Sequence, residues 1–384
     1  MIRSALLFCV LVLASIVAGC APPPVPRVAA KSCDISSIIH QLKPGFSPVD
    51  YGNCIPGRSC GFQDPTQYLA DPPSPAAVSA IQGAYGVAPA SFQAALCGLY
   101  AIYIDTDTDQ SKPSAWGMRE RLFPNASGLG GYREHIGISA TLLATLDPQK
   151  PYASYEKSIL LGLLQPNPSG PTTHPRLRRG AATWASGLTF TANPDPAPPS
   201  LSPSPTAIAV LAILAHEMGH IVWFDKVVGQ SISASNGPSP VTDNFTPISW
   251  KALNHQHGFR TFGAVNNDAQ VQRPPVVADV VRDLNDSCNS CAANDLNSIY
   301  GKQGAYSAEW ASLFATVAPD EDFVETYKLL ILTGNSGGPL QSLDLAIPAT
   351  NGSSAYSEYV INSLNNPQSL LYAKAQFVRP LFGP

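Results

Sequence analysis

Charged residues are scarce in this chain, and they form no long basic block. Asp, Glu, Lys and Arg together make up 13% of the 384 residues, and the formal net charge is −4. A protein that binds nucleic acid needs a basic patch or stripe to neutralise phosphates. The only cationic cluster, Arg176-Leu-Arg-Arg179, is short and stands beside prolines, which is typical of a loop. The composition therefore argues against nucleic acid as a partner.

The N-terminus lacks an apolar run long enough to span a membrane. The run from Ala5 to Ala18 has 14 residues, whereas a transmembrane helix needs about 17 to 25. A short basic start precedes it, and small residues follow it as Ala18-Gly19-Cys20. This order predicts a secretion signal that is removed from the mature protein.

The end of this signal resembles the lipobox of bacterial lipoproteins. The resemblance implies cleavage before Cys20 and acylation of that cysteine, which would anchor the chain to a membrane by lipid. Ala21 stands where such lipoproteins commonly have aspartate when they remain at the inner membrane, so the outer membrane of the cell envelope is the expected location. The alternative is an ordinary signal peptide with a coincidental cysteine.

Cysteine usage also predicts export. Once Cys9 leaves with the signal and Cys20 carries lipid, an even set of six remains: Cys33, Cys54, Cys60, Cys97, Cys288 and Cys291. Six cysteines allow fifteen pairings, and an oxidising compartment favours three disulfides. Proximity favours Cys54 with Cys60 and Cys288 with Cys291, which leaves Cys33 for Cys97. The Cys288 to Cys291 segment could instead be a redox pair or half of a metal knuckle, although no second Cys-x-x-Cys completes it.

Two histidines stand at the end of a long apolar stretch. The stretch from Thr206 to Ala215 has no glycine or proline and predicts an uninterrupted helix, which Ser204 or Thr206 can cap. His216 and His220 are four residues apart and would share one helix face, with about 6 Å between them. Two imidazoles placed in this way can bind one metal ion.

Glu217 completes a His-Glu-x-x-His pattern. It lies about 100° around the helix from His216, so it can hold a water next to the metal without becoming a ligand. This pattern on a helix is typical of zinc metalloproteases, in which the glutamate is the general base for hydrolysis of an amide bond. The alternative is a buried helix whose histidines only satisfy hydrogen bonds in the core.

Two histidines leave a catalytic zinc ion one protein ligand short. The metzincin class would place a third histidine at position 226, but that residue is Lys226, and Trp223 replaces the glycine of the turn. Asp225 falls on a different face of the helix from the two histidines. The third ligand is therefore expected further downstream.

The best downstream candidate is a helix that begins near Pro319, because proline suits the first helical position. Glu321 and Glu325 share one face of this predicted helix. The alternative is that the acidic residues 320–322 are only favoured by the helix dipole in a first turn. Glu309 is the second candidate for the ligand.

The two motifs together resemble gluzincin peptidases of the lethal-factor-like kind and related secreted bacterial zinc-binding metallopeptidases. In these proteins a Glu-Asp/Phe-Phe-Ala-Glu helix follows the His-Glu-x-x-His helix, and Glu321-Asp-Phe-Val-Glu325 matches it. The resemblance implies Glu321 as the third zinc ligand and Glu325 as the group that fixes the tautomer of a ligating imidazole. The family commonly has an oxyanion-stabilising tyrosine seven residues before the ligand. Here that residue is Phe314, with Tyr300 or Tyr306 as possible substitutes.

The resemblance implies an α+β zincin-like fold, with a small sheet over the active-site helix and a mostly helical C-terminal part. The pattern before the motif predicts helices over 91–99, 140–146 and 155–164, and strands over 100–104 and 132–139. We place the peptide-binding edge strand near 132–139. The expected organisation is a signal peptide (1–19), a Pro-rich tether (20–31), an irregular disulfide-stapled segment (32–89) and a zincin-like domain (90–384).

These observations predict a zinc peptidase that is lipid-anchored in the cell envelope or at the cell surface and cleaves a peptide or protein substrate. His216, His220 and Glu321 would hold Zn²⁺, and Glu217 would be the general base. A second hypothesis is a catalytically silent envelope lipoprotein that keeps zinc for structure or for binding a partner. His135, His255 and His257 are assigned no role.

Overall fold

The computed structural model of this protein is a mixed α+β structure with one long buried helix at its centre. It describes residues 33–46, 65–70, 72–106, 115–122, 131–146, 151–152, 155, 189–194, 204–227, 245–249, 251–252, 271–272, 310–312, 314–316, 319–333, 338–348, 354–359 and 364–382. The predicted signal peptide, the tether and most of the predicted helix 155–164 lie outside these residues.

The regular elements alternate between helices and strands along the chain. Within the described residues the α-helices are α1 (Pro75–Val87), α2 (Ala90–Gly98), α3 (Ala140–Thr145), α4 (Pro205–Val222), α5 (Pro319–Leu332) and α6 (Leu370–Val378). The strands are β1 (Ile39–Gln41), β2 (Ala101–Asp105), β3 (Ala115–Leu122), β4 (Gly131–Ser139), β5 (Thr189–Pro194), β6 (Lys251–Ala252), β7 (Val271–Gln272), β8 (Leu340–Pro348) and β9 (Ser354–Tyr359). Short 3-10 helices cover Ile35–Ile38, Pro65–Tyr68, Thr246–Ile248, Phe314–Thr316 and Arg379–Phe382.

Helix α4 is the centre of the hydrophobic core. The Ser204 hydroxyl accepts a hydrogen bond from the Ala207 amide at 3.1 Å and Pro205 takes the first helical position, so the predicted cap is present. Every residue from Ala207 to Ile221 is buried. Together with the π-helical turn Trp223–Val227, the helix is long and apolar enough to cross a membrane, but 94% of its most apolar window is buried inside the protein. Such burial is typical of a core helix.

A four-stranded mixed sheet covers one side of α4. Its order is β1-β2-β4-β3, in which β1, β2 and β4 are parallel and β3 is an antiparallel edge strand. One face of the sheet joins the core around α4 through four isoleucines of β2 and β4: Ile102, Ile104, Ile136 and Ile138. The opposite face packs under the N-terminal segment, where Phe46 contacts the Trp116 ring. The sheet is therefore covered on both faces, and its inner strands β2 and β4 are buried over residues 101–105 and 135–139, as in other parallel sheets.

Helices cover the other sides of α4. Helix α5 packs along it, α1 packs against it near its start, and α6 packs on α5. A second, antiparallel sheet has the order β5-β8-β9, and β6 and β7 form a separate antiparallel pair. The predicted elements over 91–99, 100–104, 132–139 and 140–146 are confirmed as α2, β2, β4 and α3.

The expectation of irregular structure over 32–89 is wrong for two parts of that segment, because β1 joins the sheet and α1 is a regular helix. Ser74 caps α1 by accepting from the Ala77 amide, and Pro75 takes its first position. The buried positions of α1 form a stripe at helical spacing: Ala77, Ile81 and Ala84.

Within the described residues the C-terminal part is mostly helical, as expected, but it is not helical throughout. It contains β8 and β9 in addition to α5 and α6. Strand β8 pairs with β5, which lies far upstream in the chain, so its sheet depends on a long-range pairing that the local pattern does not reveal.

A disulfide joins the N-terminal segment to the helical layer. Cys33 and Cys97 are bonded, with 5.8 Å between their Cα atoms. This is the pair that remained in the sequence analysis after the other four cysteines were paired by proximity. Cys54, Cys60, Cys288 and Cys291, like Cys20, lie outside the described residues.

Replacing Cys33 and Cys97 together by alanine should lower the free energy of unfolding by about 2–4 kcal/mol, because the bond closes a long loop in the unfolded chain. The separation in sequence is 64 residues. Denaturant unfolding of the variant and of the wild type under oxidising conditions measures the difference. An unchanged midpoint would show that the bond contributes nothing to stability.

Candidate metal centre

His216 and His220 lie on one face of α4, near its C-terminal end. Their ring centres are 5.0 Å apart, and the two residues are only 6% and 5% exposed. The spacing of four residues brings them together because it is close to one helical turn. Both rings face the first turn of α5.

Glu321, in that first turn, completes a group of three. Its Oε2 lies 3.6 Å from His216 Nε2, and its Oε1 lies 3.8 Å from His220 Nε2. One potential ligand atom from each residue lies within 4.8 Å of the others. Tetrahedral ligands of zinc at the usual bond lengths stand about 3.4 Å apart. The three side chains therefore fit a single zinc ion, and we call them the metal triad.

The charge around Glu321 also fits a cation. Burial raises its pKa well above the ordinary value, and nearby carboxyls raise it further, whereas Lys328 lowers it. These carboxyls belong to Asp320, Glu325 and Glu217. Oε2 of Glu321 is buried, and no donor among the described residues bonds to it. A divalent ion would supply the positive charge that an ionised Glu321 requires here.

His220 is in the protonation state that a metal ligand needs. Burial lowers the pKa of His220 well below its ordinary value, and the neighbouring His216 lowers it further. His220 is therefore neutral at pH 7, and a neutral imidazole has a lone pair to offer to a metal.

Glu325 orients the His216 ring. Its Oε1 lies 2.8 Å from His216 Nδ1, its Oε2 lies 2.8 Å from Lys328 Nζ, and the Ser312 hydroxyl donates to the same Oε2. Burial favours the neutral acid, but Lys328 and the hydrogen bond from His216 lower the pKa of Glu325 to about 2. An ionised carboxylate only accepts hydrogen bonds, so His216 donates to it from Nδ1, and Nε2 is the ring nitrogen that faces Glu321.

Glu217 lies beside the metal triad and contacts the edge of the sheet. Burial raises its pKa to about 7, even though His216 and a hydrogen bond from the Gly117 amide favour the charged form. Gly117 is on β3, and a Cβ atom there would lie 1.9 Å from the backbone oxygen of Glu217. The close approach of β3 to α4 therefore requires glycine at this position.

Two residues that contribute to the site, Gly117 and Ser312, were not predicted from the sequence. Gly117 could have been noticed as a glycine within a strand-like stretch, which often marks a close backbone approach. Ser312 carries no such signal, because its hydroxyl reaches Glu325 only in the folded chain.

Phe314 lies where the family resemblance expects a tyrosine, close to the metal triad. Its ring centre is 5.5 Å from that of His216. A phenylalanine has no hydroxyl to donate at this place. Tyr300 and Tyr306, the suggested substitutes, and Glu309, the second ligand candidate, lie outside the described residues.

The expected edge strand was wrongly assigned. Strand β4, over 131–139, lies inside the sheet between β2 and β3, and the edge next to Glu217 is β3. His135 is on β4 and is buried against the Tyr103 ring, on the sheet face opposite to the isoleucines that meet α4. His135 is thus separate from the metal triad. His255 and His257 lie outside the described residues.

No protein family, curated protein or solved structure matches this chain.

Zinc binding should depend steeply on Glu321, because Glu321→Ala opens a coordination position and removes a negative charge. Glu325→Ala should weaken binding less, by about 10- to 100-fold, as outer partners of metal ligands do. Glu309→Ala should have little effect. Metal analysis after dialysis and competition with a chromogenic chelator measure all three variants. Full zinc occupancy in Glu321→Ala with loss in Glu309→Ala would transfer the ligand assignment to Glu309.

Proposed function

We propose that this protein is a zinc-dependent peptidase of the zincin type. The observation that carries the proposal is the convergence of His216, His220 and Glu321 on one point, with Glu217 next to them on the same helix. A purely structural site closes its metal with four protein ligands, whereas three ligands leave a position for water or substrate. Among the described residues this group has three members.

Each residue has a distinct role in the proposed reaction. His216, His220 and Glu321 would hold Zn²⁺, which supplies Lewis acidity for the carbonyl of a peptide bond and for a water molecule. Glu217 accepts the proton of the attacking water and later passes it to the leaving amine. In the metal-free protein burial raises the pKa of Glu217 to about 7, and a carboxyl with a raised pKa is suited to take up and release a proton.

The position of β3 supports a peptide as the substrate. It is an edge strand of the sheet, and its Gly117 amide donates a hydrogen bond to the Glu217 carboxylate. The free side of an edge strand can accept an extended peptide as an additional strand, which would lay the peptide along the cleft beside Glu217.

The cellular location is proposed from the N-terminal sequence. The lipobox ending at Cys20 supports a lipid anchor in the cell envelope, with the outer membrane as the expected site. The Cys33–Cys97 disulfide fits this location, because such bonds persist in oxidising compartments.

One observation favours a second function, a zinc-binding envelope lipoprotein without catalytic activity. Phe314 beside His216 offers no hydroxyl to a developing oxyanion. Incubation of the soluble mature chain with a mixed peptide library separates the two functions. Cleavage that a chelator abolishes supports the peptidase, and absence of cleavage by zinc-loaded protein supports the silent alternative.

Glu217→Gln should remove peptide hydrolysis while zinc binding is retained, since the amide cannot accept the proton of water. The expected loss in kcat is on the order of 10²- to 10⁴-fold. Peptide cleavage and zinc content are measured on the same preparation, with His216→Ala as the control that loses the metal. Wild-type cleavage by Glu217→Gln would remove Glu217 from the mechanism.

Gly117→Ala should lower kcat by at least about 10-fold while leaving zinc content unchanged. The added Cβ meets the backbone of Glu217 and must push β3 away from α4, and displacement of a catalytic group by about 1 Å can cost on the order of 10²-fold. Gly86→Ala is a matched control, because a Cβ at Gly86 meets nothing within 4 Å. Equal kinetics for the two variants would contradict the role of the β3 approach.

A further inference from the structure

A buried ion pair joins the first turn of α5 to α6. Lys374 Nζ lies 2.9 Å from Oδ1 and 2.8 Å from Oδ2 of Asp322, so it contacts both carboxylate oxygens. Both side chains are 0% exposed. The ammonium also lies 3.8 Å from the centre of the Trp310 ring. The pair is thus sealed from water and covered by an aromatic face.

Stability alone does not account for this arrangement. Desolvation of two opposite charges costs about as much as their attraction returns, and well-packed apolar residues often serve equally well. A fully buried pair does, however, penalise any position of the two helices that separates the charges. Its main physical effect is therefore to fix the orientation of α5 relative to α6.

That orientation bears directly on the metal triad. Asp322 follows Glu321 in the chain, and neighbouring helical residues point about 100° apart. With Asp322 held against α6, rotation of the first turn about the helix axis is blocked, and Glu321 is directed toward the two histidines of α4. Within α5, Thr326 donates its hydroxyl to the Asp322 carbonyl at 2.8 Å, which further restrains this turn.

The segment 310–312 connects the pair to His216. Trp310 covers Lys374 at one end of this segment, and Ser312 donates to Glu325 at the other. Glu325 in turn bonds His216 Nδ1. A displaced Lys374 would therefore disturb two metal-facing groups, one through α5 and one through Trp310.

We propose that Asp322 and Lys374 are positioning residues of the metal centre, which set the direction of Glu321 and thereby its contribution to zinc affinity. This inference rests on the zinc site of the proposed function. By this proposal the site also requires the C-terminal helix α6, although α6 contributes no residue to the metal triad.

The test compares zinc affinity among variants of the full mature chain. Lys374→Met removes the ammonium that faces the buried Asp322 carboxylate, a loss that penalises folding, so it is the variant most liable to misfold. The double variant Asp322→Asn/Lys374→Met removes both charges and avoids this penalty. Lys374→Arg keeps a cation that can contact both carboxylate oxygens. Val378→Ala is the control, because Val378 is a fully buried residue of α6 and its truncation loosens packing without changing the pair.

The double variant should bind zinc at least about 10-fold more weakly than wild type, as expected for loss of an outer partner of a ligand. Its Co²⁺-substituted form should have weaker visible absorption, which reports ligand geometry. Lys374→Arg should restore affinity to within about threefold of wild type. Val378→Ala should lower the thermal midpoint of the metal-free protein and leave zinc affinity unchanged.

Three outcomes would overturn the proposal. A folded double variant with wild-type zinc affinity and cobalt spectrum would exclude a positioning role. Loss of affinity in Val378→Ala equal to that in the double variant would show that general loosening of α6 explains the effect. If the double variant does not fold, Lys374→Arg decides, because weak zinc binding by a folded arginine variant contradicts the proposal. Failure of the wild-type protein to bind zinc would instead refute the proposed function itself.

Discussion

The close approach of α5 to α4 is the constraint on which the rest of the structure depends. Gly219 lies between the two histidines on α4, and a Cβ there would stand 3.2 Å from both Cα and Cγ1 of Val324. The absence of a side chain at Gly219 lets the backbones come near enough for carboxylates of α5 to reach the imidazoles. This contact allows the metal triad to form and His216 to donate a hydrogen bond to Glu325. It also buries the side chains of His216 and Glu325.

The same approach concentrates negative charge in a largely buried place, where the Glu325 and Asp322 side chains are 0% exposed and that of Glu321 is 16% exposed. Glu325 is offset by Lys328, and Asp322 by Lys374, so each of these carboxylates has a buried ammonium within 3 Å. Glu321 has the two imidazoles as its neighbours, and its pKa is raised by burial and by other acids. Two of the three acids are thus matched by lysines, whereas the third faces imidazole nitrogens, and the proposed metal centre rests on this difference.

Much of the site was predictable because it is encoded locally. A helix cap at Ser204, an unbroken apolar stretch and two histidines four residues apart define the geometry of α4 before any tertiary contact is known. Pro319 likewise marks the start of α5. The strand positions of β2 and β4 followed from composition and alternation. The identity of the edge strand did not follow from the sequence, since strand order depends on which segments pair across the chain.

The sequence by itself determined which residues can bind a metal and which helix presents them, because side-chain chemistry and helical periodicity are local properties. The family resemblance led us to expect that Glu325 contacts a ligating imidazole, but only the tertiary structure decided that this imidazole is that of His216, 109 residues away in the chain. Only the tertiary structure, likewise, decided that Asp322 meets Lys374, which is 52 residues away. The Gly117 amide beside Glu217 belongs to the same group of contacts. Such pairings arise from the packing of helices and strands that are distant in sequence, and neither periodicity nor spacing within one segment contains that information.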